Sequence, residues 1–163
     1  IAFCAMAPSK TFNIAGLKSS MFMIQNPEIR QKIQANINAF HVGVDLMAYK
    51  ATEICYGYGA QWVDELNEYL YENAKFVTEF CETQLPKVKT FVPDGTYLMW
   101  LDFSAYGLSQ EELMNKLKTE AKVGMNSGAT YGEEGVGFAR LNIGCPKFLL
   151  EKAMNQIKAA FDK

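Results

Sequence analysis

The sequence contains few of the residues from which metal sites and disulfides are built. It has one histidine, His41, and four cysteines among its 163 residues. The cysteines, Cys4, Cys55, Cys81 and Cys145, lie far apart and form neither a CxxC pair nor a cluster with the histidine. This spacing argues against a zinc site, and unpaired thiols are typical of a reducing compartment. We therefore predict a cytoplasmic protein that binds no metal.

Long apolar runs and an excess of one charge are also lacking. No apolar run approaches the ~20 residues of a membrane-spanning helix. The 16 Lys and Arg residues nearly balance the 18 Asp and Glu residues, so nothing indicates a nucleic-acid partner or an anionic membrane surface. Hydrophobic residues make up 49% of the chain, which is enough for a real core in one domain or two small ones.

The chain opens on an apolar run, residues 1–7, with no initiator methionine and no signal-peptide pattern. Such a run predicts a buried strand that has neighbours on both sides. We therefore expect part of the protein to lie upstream of this chain.

Periodicity and capping signals predict an α/β organisation for the rest. Helices are predicted at about residues 27–40, 45–57, 60–85, 109–121 and 147–161, and further strands at 21–24, 88–92, 96–103, 123–125 and 138–143. The longest helix carries an apolar stripe on which Trp62 is expected to lie in the core. A boundary is placed after residue 70: residues 1–70 form an incomplete layer system, and residues 71–163 form a compact second domain.

Lys10 is the first candidate for chemistry. A lysine in a loop is usually a solvated charge, but this one directly follows the opening strand, where α/β proteins place ligand sites. Its neighbours Ser9, Thr11 and Asn13 are small and polar, and Gly16 permits a close backbone approach. A partly desolvated lysine of this kind can form a Schiff base with an aldehyde.

Arg140 is the second candidate. On an alternating strand, Arg140 and Asn142 project to one face while Ala139, Leu141 and Ile143 project to the other. A guanidinium held among apolar neighbours suits a planar carboxylate. The alternative is an ordinary charge at a sheet edge.

The glycine-rich loop 128–137 lacks the pattern of a phosphate-binding motif and is interpreted as a mobile or tightly turned connection. Tyr97 follows the turn at 93–95, where a tyrosine is more often than not part of the core or of the sheet surface.

Four segments resemble the cystathionine β-lyase (MalY/PatB) branch of the class I/II aminotransferases, which are fold-type I enzymes dependent on pyridoxal phosphate (PLP). They are residues 7–17 (APSKTFNIAGL), 61–70 (QWVDELNEYL), 95–102 (GTYLMWLD) and 135–142 (GVGFARLN). They occur in the expected order and span nearly the whole chain. The resemblance implies the C-terminal part of such an enzyme: the end of the large PLP domain, a long connecting helix, and a small α/β domain with a mostly antiparallel sheet.

The resemblance also implies roles for six residues. Lys10 would hold the cofactor covalently and transfer protons, and Ser9 and Asn13 would support its loop. Lys18 stands where many relatives carry an arginine that binds the cofactor phosphate. Arg140 would bind the substrate carboxylate, and Tyr97 would line the substrate pocket. For Lys18, a simply solvated charge is the alternative.

The implied activity is a carbon–sulfur β-lyase that releases thiol, pyruvate and ammonia from an amino acid, acting as a homodimer when full length. An aminotransferase would use the same lysine and arginine, and so remains an alternative. A non-catalytic fragment or a protein-interaction role is the third. Because other cofactor ligands are expected upstream, the chain alone is predicted to be inactive.

Overall fold

The computed structural model describes residues 3–162. These residues form two compact units, one extending to Leu66 and one beginning at Asn67. The division falls inside a long helix, α3 (Ala60–Gln84). The boundary predicted after residue 70 lies in the same helix.

The first unit begins with a two-stranded antiparallel sheet. Strand β1 (Phe3–Met6) pairs with β2 (Met21–Ile24), and Phe3 lies opposite Ile24. Both strands were predicted, although the first two residues of the opening run lie outside the described part of the chain. The predicted burial is wrong, because all four residues of β1 are exposed. The sheet of this unit contains only these two strands among the described residues, so β1 lacks the second neighbour that the prediction required.

Two capped helices complete the first unit before α3. Helix α1 (Pro27–Ala39) starts where Asn26 Oδ1 accepts hydrogen bonds from the amides of Glu28 and Ile29 at 2.9 and 3.1 Å. Helix α2 (Leu46–Tyr58) starts where Asp45 accepts from the amide of Ala48 at 2.9 Å. Each cap satisfies amides that have no partner within the helix. Both helices therefore begin where their polar side chains predict.

Helix α3 buries only part of its apolar stripe. Leu70, Ala74, Val77 and Cys81 are buried, and they all belong to the second unit. The prediction that Trp62 lies in the core is wrong, since 46% of the residue is exposed. The stripe is buried only from Leu70 onward, where the sheet and helices of the second unit supply covering side chains.

The second unit is an antiparallel sheet with three helices. Strands β3 (Leu98–Asp102), β4 (Asn126–Ser127) and β5 (Phe138–Asn142) lie in the order β3-β5-β4, and every pairing is antiparallel. Helix α4 spans Gln110–Thr119 and α5 spans Lys147–Phe161. The core joins alternate sheet residues to apolar helix residues, among them Met99, Leu101, Leu113, Leu117, Ala139, Leu141, Leu150 and Ile157. The predicted small α/β domain with an antiparallel sheet is thus confirmed.

Two short predicted strands are wrong. Residues 88–92 form a single bridge, in which Lys89 exchanges backbone hydrogen bonds of 3.0 and 2.8 Å with Asp102. The amide of Val88 is already used by a turn to Leu85. Residues 123–125 form no ladder because the amide of Val123 donates to the carbonyl of Leu117 and closes the end of α4. Pairing starts only at Asn126.

Candidate functional site

Lys10 lies in a tight turn that directly follows β1. The amide of Phe12 donates to the carbonyl of Pro8 at 3.0 Å, and the amide of Ile14 donates to the carbonyl of Ser9 at 3.1 Å. These two hydrogen bonds fold the backbone around Lys10. Pro8 is buried and Ser9 is half-buried, whereas Lys10 is exposed. The partly desolvated setting predicted for this amine is therefore not supplied by the described residues of this chain.

Lys18 ends the same loop. It follows a short 3-10 helix, Ala15–Leu17, and adopts a left-handed backbone with φ of 51°. Asn13 is also left-handed, with φ of 54°. Non-glycine residues seldom adopt this conformation, so the loop has a defined path between β1 and β2. The structure thus places Ser9, Lys10 and Lys18 in one loop, although within the described residues no hydrogen bond joins their side chains.

Arg140 lies on the central strand of the second unit's sheet. It stands opposite Trp100 of β3 and opposite Asn126 of β4. The alternation predicted for this strand is confirmed, because Ala139 and Leu141 are buried on the other face while Arg140 is half-buried. A charge at this place is held by strands on both sides, so the alternative of a sheet-edge charge is wrong.

The guanidinium of Arg140 has few polar partners. Its Nη2 lies 3.5 Å from Asn126 Oδ1, which is the outer limit for a hydrogen bond. Its Nε is buried and has no hydrogen-bond partner among the described residues. Leaving a buried donor unsatisfied is unfavourable by about 1–3 kcal/mol, and more for a charged group. Because the Nε is enclosed by protein, an anion could be bound only at the terminal Nη groups, and Nη2 already lies near Asn126.

Tyr131 covers this guanidinium and was missed by the sequence analysis. Its ring centre lies 4.7 Å from Arg140 Cζ, and Trp100 meets the same ring edge-on with 5.3 Å between ring centres. A cation over an aromatic face is attracted by the ring's negative charge. One feature of the sequence could have indicated the role of Tyr131: glycines flank it in the loop 128–137. That loop was interpreted only as a connection.

Close backbone contacts hold the loop that carries Tyr131. A Cβ added to Gly128 would collide with the carbonyl oxygen of Gly135 and lie 2.7 Å from that of Phe138. A Cβ on Gly135 would in turn collide with the backbone of Gly128. The loop is thus tightly turned where Gly128 and Gly135 cross, and it contains short 3-10 helices at Gly128–Tyr131 and Glu133–Gly135.

Tyr97 has different neighbours from Arg140. Its carbonyl accepts a hydrogen bond from the amide of Ile143 at 2.9 Å. Its ring lies beside Gly144, whose missing side chain would lie 3.4 Å from the tyrosine Cβ and Cγ. Tyr97 therefore packs at the start of β3, and its role in a substrate pocket stays a prediction.

Neither a metal cluster nor a membrane span is found in the part of the chain that the structure describes. No group of three or more His, Cys, Asp or Glu side chains in residues 3–162 could hold a metal ion. No helix among the same residues is long and apolar enough to cross a membrane.

Comparison with known proteins identifies homologues over nearly the whole chain, although no family model matches it. The chain is 44% identical over 161 residues to cystathionine β-lyase PatB of Bacillus subtilis (strain 168), covering 98% of this chain and 42% of that protein. It is 34% identical over 148 residues to Protein MalY of Escherichia coli (strain K12), covering 90% of this chain and 38% of that protein.

A solved structure agrees with these relatives. Cystalysin from Treponema denticola, which contains a pyridoxal 5'-phosphate cofactor, matches with a TM-score of 0.94 at 31% identity, over 98% of this chain and 41% of that chain. The homologues are thus cystathionine β-lyases of the MalY/PatB kind and PLP-dependent aminotransferases. The predicted resemblance and the fold-type I class are confirmed. The chain spans about two fifths of the length of these relatives.

Proposed function

We propose that the chain is part of a PLP-dependent carbon–sulfur β-lyase that acts on a small amino acid. The single observation that carries the proposal in the structure is the half-buried guanidinium of Arg140, whose Nε has no hydrogen-bond partner within residues 3–162. The 44% identity to a cystathionine β-lyase favours a lyase over other PLP chemistry.

The guanidinium of Arg140 favours an amino-acid substrate because the geometry of its N–H donors matches a carboxylate. A guanidinium can give two parallel hydrogen bonds to one carboxylate, and such charge-assisted pairs are about twice as strong as neutral ones. Tyr131 contacts Arg140 through its ring, whose centre lies 4.7 Å from Cζ, so this contact uses none of the hydrogen-bond donors of the guanidinium. We propose that Arg140 binds the substrate α-carboxylate, with Tyr97 as a candidate pocket residue.

The loop from Ser9 to Lys18 has the chemistry that PLP requires. The primary amine of Lys10 suits the aldehyde of the cofactor, while the hydroxyl of Ser9 and the cation of Lys18 suit its phosphate. All three lie in one loop whose backbone is fixed by turns at Pro8 and Ser9. We propose that Lys10 holds the cofactor covalently and that Ser9 and Lys18 contribute to its binding.

The proposed reaction requires two side chains of this chain, Lys10 and Arg140, in addition to the cofactor. When bound, PLP withdraws electrons from the substrate and stabilises the charge left at the α-carbon. Lys10 Nζ takes the α-proton, and Arg140 holds the carboxylate so that the proton faces the amine. In sum the Cβ–S bond breaks, one water is consumed, and thiol, pyruvate and ammonia leave.

An aminotransferase is the second candidate, because PLP-dependent aminotransferases occur among the homologues and would use the same two residues. The products separate the two activities. A lyase releases pyruvate from cystathionine without any keto-acid acceptor, whereas an aminotransferase consumes an acceptor and retains the sulfur. A non-catalytic interaction role is the third candidate, and absence of both reactions in the PLP-loaded protein would favour it.

We further propose a cytoplasmic homodimer for the full protein. Large apolar residues of the first unit are exposed: Phe40 by 77%, Leu46 by 78%, Met47 by 71% and Tyr58 by 86%. Exposed apolar side chains of this size suit a surface that another protein segment covers. Sedimentation of the full protein should give twice the chain mass, and Leu46→Glu should shift it toward the monomer.

The cofactor assignment is tested by borohydride reduction of the full, PLP-loaded protein. Reduction fixes the cofactor to the amine that holds it, and peptide mass spectrometry should find the pyridoxyl group on Lys10. A label on another lysine would overturn the assignment. Lys18→Ala serves as a control, since it should weaken PLP binding and leave the labelled position unchanged.

A further inference from the structure

We infer that Phe12, seated against Gly59, is the positioning residue that fixes the turn bearing Lys10. This inference rests on the proposed role of Lys10, and it explains how the amine of Lys10 is positioned. Lys10 itself is exposed, so its position must be set by the backbone on which it stands.

Phe12 is the aromatic anchor of the Lys10 turn. Its ring meets Tyr56 of α2 edge-on, with 5.4 Å between ring centres and an interplanar angle of 77°. It also stacks on Trp62 of α3, at 6.4 Å and 21°. Aromatic pairs in these geometries are favourable. The ring is therefore oriented by one side chain from each of two helices.

Gly59 provides the room for this ring. A Cβ at Gly59 would lie 2.6 Å from Phe12 Cε1 and 2.5 Å from the carbonyl oxygen of Cys55. The φ of Gly59 is −87°, which any residue can adopt, so no left-handed conformation requires a glycine here. Its requirement is steric: the Phe12 ring lies where a side chain at the junction of α2 and α3 would stand.

Phe12 is separated from Lys10 by two peptide bonds, so the position of Phe12 affects the position of Lys10. The amide of Phe12 donates to the carbonyl of buried Pro8 at 3.0 Å, so the hydrogen-bonded turn that Phe12 closes contains Lys10. The far end of the loop is held to α2 as well, since the hydroxyls of Ser19 and Thr52 lie 3.2 Å apart. Displacement of the Phe12 ring would move the Pro8–Phe12 turn and with it the amine.

Such a displacement matters because proton transfer depends on geometry. A shift of about 1 Å from residues outside the chemistry can lower a rate by roughly a hundred-fold. Formation of the covalent link to PLP has the same requirement, and it can be measured without turnover.

The test compares two glycine substitutions in the full protein. Gly59→Ala places a methyl group against Phe12, whereas Gly57→Ala adds the same group two residues earlier, where nothing lies within 4 Å. The probe is PLP, titrated before borohydride reduction, with the label on Lys10 quantified by peptide mass spectrometry. Gly59→Ala should raise the PLP concentration for half-labelling of Lys10 by about ten-fold or more. Gly57→Ala should match the wild type.

One further variant separates positioning from general loss of structure. Phe12→Ala should weaken Lys10 labelling like Gly59→Ala, although it adds no Cβ against the carbonyl oxygen of Cys55. Circular dichroism and thermal unfolding of the apo-proteins accompany each titration. A purely structural contact would lower the unfolding temperature while the folded protein labelled Lys10 normally, and that result would overturn the inference.

The proposed function and the inference fail in different ways. If the wild type carries no label on Lys10, the cofactor assignment is wrong and the inference falls with it. If the wild type labels Lys10 and Gly59→Ala does so at the same PLP concentration, only the role of Phe12 is overturned.

Discussion

The guanidinium carbon of Arg140 lies 4.7 Å from the ring centre of Tyr131, which comes from the loop that had been interpreted as a simple connection. The ring is itself met edge-on by Trp100, the cross-strand neighbour of Arg140. The guanidinium, the tyrosine ring and the indole therefore form one cluster on the half-buried face of the sheet. Contact through the ring face holds the guanidinium without using its hydrogen-bond donors.

Replacing Arg140 by lysine should weaken substrate binding and spare the cofactor. Lysine keeps the charge but lacks the planar two-donor fork. Losing a charge-assisted hydrogen bond costs about 1.5–3 kcal/mol, roughly ten- to a hundred-fold in kcat/KM. Steady-state kinetics should show a raised KM while PLP absorbance is unchanged. Arg30→Lys, at a guanidinium that donates to the carbonyl of Ile24, is the control; normal kinetics for both variants would refute the carboxylate role.

Tyr131→Leu should raise KM less than the arginine change does. An exposed cation–π contact contributes about 0.5–1 kcal/mol, or roughly two- to five-fold. Tyr131→Phe keeps the ring and should behave as the wild type. Tyr71, which is similarly exposed at 56% against 51% for Tyr131, offers Tyr71→Leu as a matched control. If Tyr131→Leu and Tyr71→Leu raise KM equally, the contact between Tyr131 and Arg140 plays no part in substrate binding.

Asn73→Ala should destabilise the second unit. Asn73 is fully buried in α3, and its Nδ2 donates to the carbonyls of Ile143 and Cys145 at 2.9 and 3.1 Å. Removing the donor leaves buried carbonyls unpaired, which costs about 1–3 kcal/mol. Denaturant unfolding monitored by circular dichroism measures the loss. Asn155→Ala, which removes an exposed hydrogen bond to Glu151, should change the unfolding free energy by under about 0.5 kcal/mol.

Cys81 should resist alkylation in the native protein. Burial, aided by the charge of Glu82, raises the pKa of its thiol from 9.0 to about 12, and the thiolate is the reactive form. At pH 8 iodoacetamide should leave Cys81 unmodified until urea unfolds the chain. Because the folded pKa is the higher one, this thiol contributes stability below pH 9.0 that is lost as pH rises toward 12. Rapid native labelling would contradict its burial.

Local signals in the sequence predicted the helices well. Asn26 and Asp45 cap α1 and α2, and Ser109 with Glu112 forms a capping box at α4. In that box the hydrogen bonds from Ser109 lower the pKa of the Glu112 carboxyl. Each cap involves residues three or fewer positions apart, so the sequence alone contains the interaction. The alternation of β5 was predictable for the same reason, because it needs only a two-residue period.

Contacts between distant residues were not predictable in the same way. The segments 88–92 and 123–125 have strand-like composition, yet the amide of Val88 donates to a turn at Leu85 and the amide of Val123 donates to Leu117 in the last turn of α4. The meeting of Tyr131 with Arg140 depends on the crossing of Gly128 and Gly135, which no residue pattern specifies. Arg140 itself was identified correctly as a strand residue, but only the sheet order revealed that its strand is central.

The position of β5 in the sheet also sets an order for biosynthesis. Both β3 and β4 pair with β5 and with nothing else in the three-stranded sheet, although β5 is made after both of them. Until the ribosome has added Phe138–Asn142, the apolar strand Leu98–Asp102 has no strand with which to pair. An unpaired strand edge is prone to join other chains. Nascent chains stalled before residue 138 should therefore depend more on chaperones than chains that include β5. A protein truncated before residue 138 should aggregate and should not form a smaller folded domain.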